Sequence, residues 1–560
     1  MSFDTVIRNG IVVDGTGLAP FRADVGIVGG RIARIGRIKE RGATDIDAEG
    51  HVVTPGFIDA HTHMDAQVFW DELGTNSCWH GVTTVVMGHC GFTLAPTRDD
   101  AHELVVRNLE RAEDIAPAAL AAGIEWTWTD FAGYLDAIDR LPKGINYAAN
   151  IGHSALRTYV MGTRAFEEKA TDDDLAAMRA ELDRAVRVGA FGFTTSRTVH
   201  HQTSDDKPVA SRAASWDEVC ALVDVLAELG AGIFQMVTDR AVPDGDPDRM
   251  LADLALTTGV PVATTGMNDQ ALAFLDDTIA KGARMWGVTH PRGIGAFSSF
   301  RSQLPFDRLP EWRELRTLPV EEQRRRLEDA DVVARLVEIA DEGPYAEAFG
   351  GEARPPEFDR MQVFSSPLPP HATVAAVAAE RGVHAVEAMI QLALETDMRQ
   401  LFWQTFAPFD HDRIKRCLAH PHTVVGFSDS GAHVSQMSDA SIETHLLGHW
   451  VRNCQEFSLE EAVRMLTLEP ARAYGFSDRG LVREGLVADL NVFDPETVAP
   501  AMPELVHDLP GGAPRMSQRS VGFLATLVAG EILIDHGEPT AARPGRLVRG
   551  RLAHQRSGTE

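Results

Sequence analysis

The sequence has few cysteines and no long apolar run that is free of charge. Five cysteines are scattered over 560 residues without motif spacing, and an odd, scattered set argues against a disulfide framework. No apolar stretch is long enough to span a bilayer. The N-terminal MSFDTVIRNGIVVDG alternates polar and apolar residues as a strand does, unlike a signal peptide. These absences predict a cytoplasmic protein.

Positive charge is also scarce. The chain has 53 Lys and Arg residues against 81 Asp and Glu residues, which gives a formal charge of −28. This negative field makes nucleic acid and anionic membrane surfaces poor partners. A small-molecule substrate is expected, and an anionic substrate would need a local group of arginines. Assembly into a homo-oligomer is compatible with the composition.

Strand patterns with glycine turns occupy residues 1–54 and return in residues 471–560. The run ATLVAGEILIDHG near the end resembles RNGIVVDGTG near the start. We therefore expect one small β-sandwich that is formed from both chain ends. The basic, polar tail from Pro544 onward is expected to be loosely held.

The middle of the chain, residues 55–470, alternates short apolar runs with longer helical patterns. TTVVMGHC, AFGFTTS and HTVVGFSD are examples of the runs, and SWDEVCALVDVLAELG is a helical pattern between two of them. Repeated strand and helix predict a parallel α/β fold, and specifically a (β/α)8 TIM-type barrel. Residues 296–345 differ and predict a helical insertion, which would be either a lid over the barrel mouth or a segment without catalytic role.

His61 and His63 directly follow the apolar run GFID. Side chains two positions apart on a strand face the same side, and barrel active sites lie at the carboxyl ends of the strands. Two imidazoles at such a place would form half of a transition-metal site. The alternative is a chance pair in a chain with 21 histidines.

Asp429 ends another apolar run, TVVGFSD, which lies late enough to be the last barrel strand. In a closed barrel the last strand pairs with the first, so Asp429 would lie beside His61 and His63. A carboxylate there could bind the metal, take a proton from the attacking water and deliver it to a leaving amine. The alternative is an ordinary turn aspartate after a strand.

These residues carry a family resemblance. TPGFIDAHTHMDAQ resembles the opening signature of the amidohydrolase superfamily, and LVREGLVADLNVFD resembles the segment with which many members resume their β-sandwich. Within that superfamily the strings HTHMDAQ, MGHCGFTLAP, IGHSALR, GAFGFTTSRT and VGFSDSGAH resemble the N-acyl-D-amino-acid deacylase (D-aminoacylase) group. The resemblance runs to about Gly537 and implies a metal-dependent hydrolase that cleaves a C–N amide bond.

The resemblance implies a role for four residues. His61 and His63 match the metal ligands of the first strand, and Asp429 matches the aspartate that serves as ligand and general base. Cys90 matches the cysteine that supplies a metal-bridging thiolate in D-aminoacylases, where other members use a carbamylated lysine. As an alternative, Cys90 would be a buried small hydrophobe.

Lysines are rare in the first 250 positions, and none of them falls in a strand-like run, so a carbamylated-lysine centre is not expected. They are Lys39, Lys143, Lys169 and Lys207.

The sequence departs from the D-aminoacylase pattern at two strands. That pattern has a histidine at the end of strands five and six, but the corresponding runs, 232–239 and 261–269, contain none. One tetrahedral Zn²⁺ held by thiolate, imidazole and carboxylate is therefore expected, and a second metal is uncertain. His153, His201 and His290 follow other strand-like runs, where they would refill the missing positions, contact substrate or be satisfied polar groups without a role in the site.

Arg157, Arg197 and Arg292 also follow strand-like runs. A guanidinium at the barrel mouth would hold a substrate carboxylate in bidentate fashion. Surface exposure is the alternative for each of them.

The sequence thus predicts hydrolysis of an N-acyl (D-)amino acid or related acyl-amine through metal-activated water. One alternative keeps the site and changes the bond to that of a cyclic amide, a carbamate or a lactone. Another is a barrel without turnover that serves as a binding or assembly protein, since ligands are missing on two strands.

Overall fold

The structure, a computed structural model, describes residues 2–237, 245–345, 354–406, 409–436 and 439–556. Thr238 and Asp239, at the end of the run assigned to strand five, lie outside the described residues. The described residues form a mixed α/β fold in which parallel strands alternate with helices.

The described strands are, in chain order, β1 Phe3–Val12, β2 Phe21–Val28, β3 Arg31–Gly36, β4 Gly42–Asp47, β5 Val52–Pro55, β6 Phe57–Asp59, β7 Val82–Met87, β8 Asn146–Ala149, β9 Ile151–Gly152, β10 Gly192–Ser196, β11 Ile233–Val237, β12 Val262–Thr264, β13 Met285–Thr289, β14 Gly295–Ser298, β15 Gln362–Phe364, β16 Leu401–Thr405, β17 Thr423–Val425, β18 Leu490–Phe493, β19 Ala499–Pro500, β20 Glu504–Val506, β21 Arg515–Ser517, β22 Ser520–Val521, β23 Phe523–Val528, β24 Glu531–Asp535, β25 Glu538–Pro539 and β26 Leu547–Val548.

The described α-helices are α1 His102–Leu109, α2 Pro117–Gly123, α3 Phe131–Arg140, α4 His153–Met161, α5 Asp172–Val188, α6 Trp216–Leu229, α7 Pro247–Thr258, α8 Asp269–Ala280, α9 Pro310–Arg316, α10 Val320–Leu327, α11 Ala330–Glu342, α12 Val374–Arg381, α13 Ala385–Glu395, α14 His411–Ala419, α15 Ile442–His445, α16 Leu459–Leu466, α17 Leu468–Tyr474 and α18 Arg551–Arg556. Within the part of the chain described, no helix combines the length and the apolar character needed to cross a membrane.

Two parallel sheets form the centre of the molecule. One has the order β26-β8-β7-β6 and the other the order β17-β13-β12-β11-β10-β9. Only Asn150 separates β8 from β9, so the chain passes directly from one sheet to the other. β6 and β17 are the edge strands of the two sheets. The segments that follow them are joined by a hydrogen bond from His63 N to Ser430 O at 2.8 Å. The carboxyl ends of the first and last strands are therefore adjacent.

A further sheet combines strands from both chain ends. Its order is β25-β24-β23-β18-β5-β1-β2-β3, and β4 pairs with β1. Alternating apolar side chains of these strands share one buried cluster, to which Ile7, Val25, Val53, Leu490 and Leu527 belong. The strand patterns at residues 1–54 and near the end of the chain thus pack into one unit.

The helical insertion extends beyond the expected 296–345. Helices α9, α10 and α11 share a buried core with residues on both sides of the undescribed 346–353, from Phe300 to Phe402. The antiparallel sheet β14-β16-β15 explains the difference, because β14 pairs with β16 about 100 residues later in the chain. The inserted unit therefore reaches to about Thr405.

The expectation of a loose tail from Pro544 is wrong for the described residues after it. β26 runs parallel to β8, Tyr147 N donates to Arg546 O at 3.0 Å, and Arg546 N donates to Asn146 Oδ1 at 3.1 Å. The tail adds a strand to the central sheet, a partnership that its basic, polar composition does not reveal.

Candidate active site

His61, His63, Cys90 and Asp429 converge at the carboxyl ends of the parallel strands. His61 and His63 follow β6, Cys90 follows β7, and Asp429 follows β17. Asp429 Oδ1 lies 3.3 Å from His61 Nε2 and 3.4 Å from His63 Nε2. Cys90 Sγ lies 3.5 Å from His61 Nε2, and the ligand atoms of the two histidines and the cysteine all lie within 4.8 Å of one another.

The three shortest of these distances fit the edges of a tetrahedral metal site. Zinc binds imidazole nitrogen and carboxylate oxygen at about 2.0–2.1 Å and thiolate sulfur at about 2.3 Å. At tetrahedral angles those lengths place nitrogen and oxygen about 3.3 Å apart, and nitrogen and sulfur about 3.5 Å apart. The observed 3.3, 3.4 and 3.5 Å match. Within the described residues Asp429 Oδ1 has no hydrogen-bond donor, as expected of an atom aimed at a cation.

Burial sets the protonation of the four side chains. It lowers the pKa of His63 to about 3 and that of His61 well below its usual value, so both imidazoles are neutral and able to bind a metal. It raises the pKa of the Cys90 thiol, as do the nearby Glu113 and Asp429. It also raises the pKa of Asp429 to about 7. A bound divalent cation would favour the thiolate and the carboxylate instead.

The backbone is strained around the site. Cys90, Phe427, Asp429 and His433 have φ values of 55°, 70°, 49° and 48°, in the left-handed region that non-glycine residues rarely adopt. Gly431, at φ +95°, is required because a Cβ there would lie 2.5 Å from His63 O. Strained loops from two strand ends thus bring their side chains to one point.

Gln235 and Met267 occupy the places where histidines were sought on strands five and six. Gln235 is on β11, and its Oε1 accepts a hydrogen bond from Cys90 N at 3.0 Å. Met267 follows β12 and packs against Gly287, where a Cβ would lie 2.1 Å from its sulfur. Neither side chain offers an imidazole, so the site lacks those two nitrogen ligands.

A cavity of about 940 Å³ opens above Asp429 and is lined by His201, His433 and Phe427. His201 Nδ1 lies 2.7 Å from Ser196 Oγ, and its ring packs on Phe92 with centroids 5.1 Å apart. The structure thus brings His201 to the site, although its sequence position is remote from the other four residues.

The structure places His153 and Arg157 away from the cavity above Asp429. Both are fully buried. His153 Nε2 lies 2.9 Å from Glu218 Oε1, and Nδ1 lies 2.8 Å from Thr195 Oγ1. Arg157 donates to Glu218 and to backbone carbonyls of the segment after α4. The buried Glu218 carboxylate on α6 thus binds both of these side chains, which lie on α4.

Arg197, His290 and Arg292 also lie away from the cavity above Asp429. Arg197 donates to Ala214 O at 3.1 Å. His290 Nε2 lies 3.2 Å from Asp439 Oδ2, and Arg292 forms an ion pair with the same carboxylate. His290 and Arg292 line a separate cavity of about 310 Å³ behind Phe427. Because Asp439 balances its charge, Arg292 is a weak candidate for binding a substrate anion.

Four side chains near the site were not singled out from the sequence: His89, Glu113, Arg354 and His433. His89 stacks on His61 with centroids 4.0 Å apart and planes at 17°. Glu113 Oε1 lies 3.6 Å from His63 Nδ1. The strings MGHC and SDSGAH contain His89 and His433, and their position after strand-like runs is a usable signal. Glu113 and Arg354 stand outside any such run, so local sequence gives no indication of their place.

Two imidazoles, a thiol and a carboxylate meet at the carboxyl ends of parallel strands. This arrangement is typical of metal-dependent hydrolases. The chain belongs to the amidohydrolase family, whose pattern matches residues 45–534. The resemblance found in the sequence is thereby confirmed.

Several relatives and solved structures that are similar to this chain are deacylases of N-acyl-D-amino acids. The chain is 30% identical to a D-aminoacylase of Alcaligenes xylosoxydans xylosoxydans over 89% of each chain. The solved N-acyl-D-glutamate deacylase of Bordetella bronchiseptica, complexed with zinc and a phosphonate mimic of the tetrahedral intermediate, is similar over 98% of this chain and 100% of that one, with TM-score 0.65 and 26% identity. A second solved structure is a D-aminoacylase with a binuclear metal centre, reported to show one-metal activation and second-metal attenuation. It is similar over 98% of this chain and 100% of that one, with TM-score 0.64 and 25% identity.

Proposed function

We propose that this protein hydrolyses the amide bond of N-acyl-D-amino acids with one zinc ion held by His61, His63, Cys90 and Asp429. The observation that carries this proposal is the convergence of the four side chains, in which the three distances from Asp429 to the two imidazoles and from Cys90 to His61 match edges of a tetrahedral site. Relatives that deacylate D-amino acids support the substrate class. Gln235 and Met267, in place of histidines, support one metal rather than two.

The bound zinc would supply Lewis acidity to the carbonyl oxygen of the amide when Cys90 moves away and leaves a coordination position open. The neutral imidazoles of His61 and His63 would donate nitrogen lone pairs to the zinc, and His89, stacked on His61, holds the His61 ring in place. Burial of all three rings excludes water from the side of the site away from the cavity.

Asp429 moves the proton. The oxygen of water adds to the amide carbon, and Asp429 takes one proton from that water. As the C–N bond breaks, Asp429 delivers this proton to the departing nitrogen, so the amine leaves neutral and the other water proton stays with the new carboxyl group. Asp429 reaches both partners because it lines the floor of the cavity and lies beside the two imidazoles.

Arg354 is the proposed partner of the substrate carboxylate. It lines the same cavity as Asp429 and lies over the Phe406 ring at 4.6 Å. Its Nε has no hydrogen-bond partner among the described residues, and burial lowers the pKa of the guanidinium, as does Arg360. A substrate carboxylate would relieve both costs. Phe427 and Ile294 offer apolar walls for the acyl group or the amino-acid side chain.

We also propose that the two parallel sheets close into a (β/α)8 barrel over residues 55–470, and that residues 1–54 and 471–560 form a β-sandwich. The bond between His63 N and Ser430 O supports closure. So does one buried cluster with residues on or beside eight of the ten parallel strands, from Ala60 near β6 to Val424 on β17.

The test compares metal-stripped protein with zinc-reconstituted protein on N-acetyl-D- and N-acetyl-L-amino acids. Hydrolysis is measured as release of the free amine. Zinc-dependent hydrolysis of D-substrates is expected. A zinc-loaded protein that opens hydantoins or lactones and leaves every N-acyl amino acid intact would contradict the proposal.

A further inference from the structure

Glu113 is a buried carboxylate that the proposed reaction does not use. It lies in the turn after α1 and is 1% exposed. Neither of its carboxylate oxygens has a hydrogen-bond partner within the described part of the chain. Because burying an unpartnered carboxylate is costly, its position calls for a nearby cationic or hydrogen-bonding group.

Two imidazoles face this carboxylate. Glu113 Oε1 lies 3.6 Å from His63 Nδ1, and Oε2 lies 3.9 Å from His433 Nε2. The other nitrogen of His63, Nε2, lies 3.4 Å from Asp429 Oδ1. The two nitrogens of His63 therefore face two different carboxylates, one at the metal site and one behind it.

The backbone holds Glu113 in this place through the loop that carries Asp429. His433 N donates to Glu113 O. The neighbouring Asp114 accepts from Ser435 Oγ at 2.6 Å and from Gln436 Nε2 at 3.1 Å. The turn after α1 is thus tied to residues 433–436, and its carboxylate is directed at the segment after β6.

We propose that Glu113 is a positioning residue of the metal centre, whose carboxylate, 3.6 Å from His63 Nδ1 in the structure, closes to accept the Nδ1–H when Nε2 binds the metal. This bond fixes the tautomer that leaves the Nε2 lone pair for the metal and holds the ring at the angle that binding needs. Metal-binding histidines commonly donate their second N–H to a carboxylate in this way. The inference rests on the proposed function in that it assumes a metal at His63.

The test is zinc affinity, measured by competition with a chromophoric chelator on metal-stripped protein. Loss of such a partner typically weakens metal binding about 10–100-fold, which is expected for Glu113→Ala. Glu113→Gln keeps the shape and an oxygen acceptor, so it should lose less but at least about threefold. Glu103→Gln, an exposed carboxylate on α1, is the matched control and should bind as wild type does.

Two further readouts separate positioning from general damage to the fold. In a His63→Ala background, Glu113→Gln should weaken zinc binding no further, because the coupling acts through His63. The visible spectrum of bound Co²⁺ should shift in Glu113→Gln and stay unchanged in Glu103→Gln. Wild-type affinity in Glu113→Gln, or equal losses with and without His63, would overturn the inference. A wild-type protein that binds no zinc would instead overturn the proposed function.

Discussion

Asp429 is the side chain on which the proposed chemistry depends most at the scale of single residues. Its Oδ1 lies beside both imidazoles, and the residue lines the cavity. Asp429→Asn keeps the shape and removes the basicity, so turnover should fall by about 10²–10⁴-fold. Far-UV circular dichroism should be unchanged, since the amide is nearly isosteric. Activity near that of wild type on any hydrolysed substrate would contradict the assigned role.

Cys90 provides a second residue-scale prediction. Its thiol is the proposed sulfur donor of the site, whereas the other cysteines lie outside the His61, His63 and Cys90 cluster. Cys90→Ala should lose zinc during purification, and elemental analysis should find wild-type zinc in Cys417→Ala, a buried cysteine on α14. Equal zinc in both variants would make Cys90 a core residue only.

Arg354 is the proposed partner of the substrate carboxylate, which gives a third prediction for a single residue. Arg354→Met should raise KM for N-acyl amino acids roughly 10–100-fold, since a hydrogen-bonded charge contributes about 1.5–3 kcal/mol, and should leave kcat nearly unchanged. Steady-state kinetics on the matching carboxamide substrates should show little change. Arg313→Met, at an exposed arginine on α9, is the control. An equal loss on acids and carboxamides would remove Arg354 from carboxylate recognition.

The residues that the sequence identifies are those with a local pattern. His61, His63, Cys90 and Asp429 each follow an apolar run, and strand ends in a parallel fold meet at one edge. Glu113 reaches the site only because the turn after α1 binds the loop 433–436. Such tertiary placement has no counterpart in local periodicity, so it could not be predicted.

At the scale of elements, helices α4 and α6 are joined by the buried group of His153, Arg157 and Glu218. Burial alone would raise the pKa of Glu218, but the hydrogen bond from His153 and the Arg157 guanidinium lower it to about 2, from an ordinary 4.5. Because the folded pKa lies below the unfolded one, the stabilisation is complete above about pH 4.5 and is lost as the pH falls toward 2.

Glu218→Gln should therefore lower the free energy of unfolding at pH 7 by about 3 kcal/mol, since each pKa unit corresponds to about 1.36 kcal/mol. Urea unfolding at several pH values should show this difference shrinking below pH 4.5. Glu314→Gln, at an exposed position on α9, should unfold like wild type. A difference that stays constant from pH 7 to pH 3 would contradict this assignment.

Element-scale prediction succeeded where a segment carries its own periodicity. TTVVMGHC covers all of β7 except its first residue, and SWDEVCALVDVLAELG contains α6, which follows the Ser215 cap. The end of the inserted unit near Thr405 has no local signal, because β14 and β16 are four and five residues long and pair across about 100 residues of chain. Short strands of this kind depend on their partners more than on propensity.

At the scale of the whole molecule, the alternation of strands and helices predicted the α/β fold, and the family assignment agrees with it. The tail was the main error. Arg546 and Leu547 add to the sheet beside β8, although their sequence resembles a solvated end. Long-range strand addition is set by the edge that β8 leaves open, and that edge is defined only in the folded chain.

The most direct test of the central claim is a zinc titration of the metal-stripped protein, with hydrolysis of N-acetyl-D-amino acids as the readout. Because His61, His63, Cys90 and Asp429 are the proposed ligands and Gln235 and Met267 add no imidazole, activity should rise linearly and level off at one zinc per chain. Activity without zinc, or activity that rises until two zinc ions per chain are bound, would contradict the account.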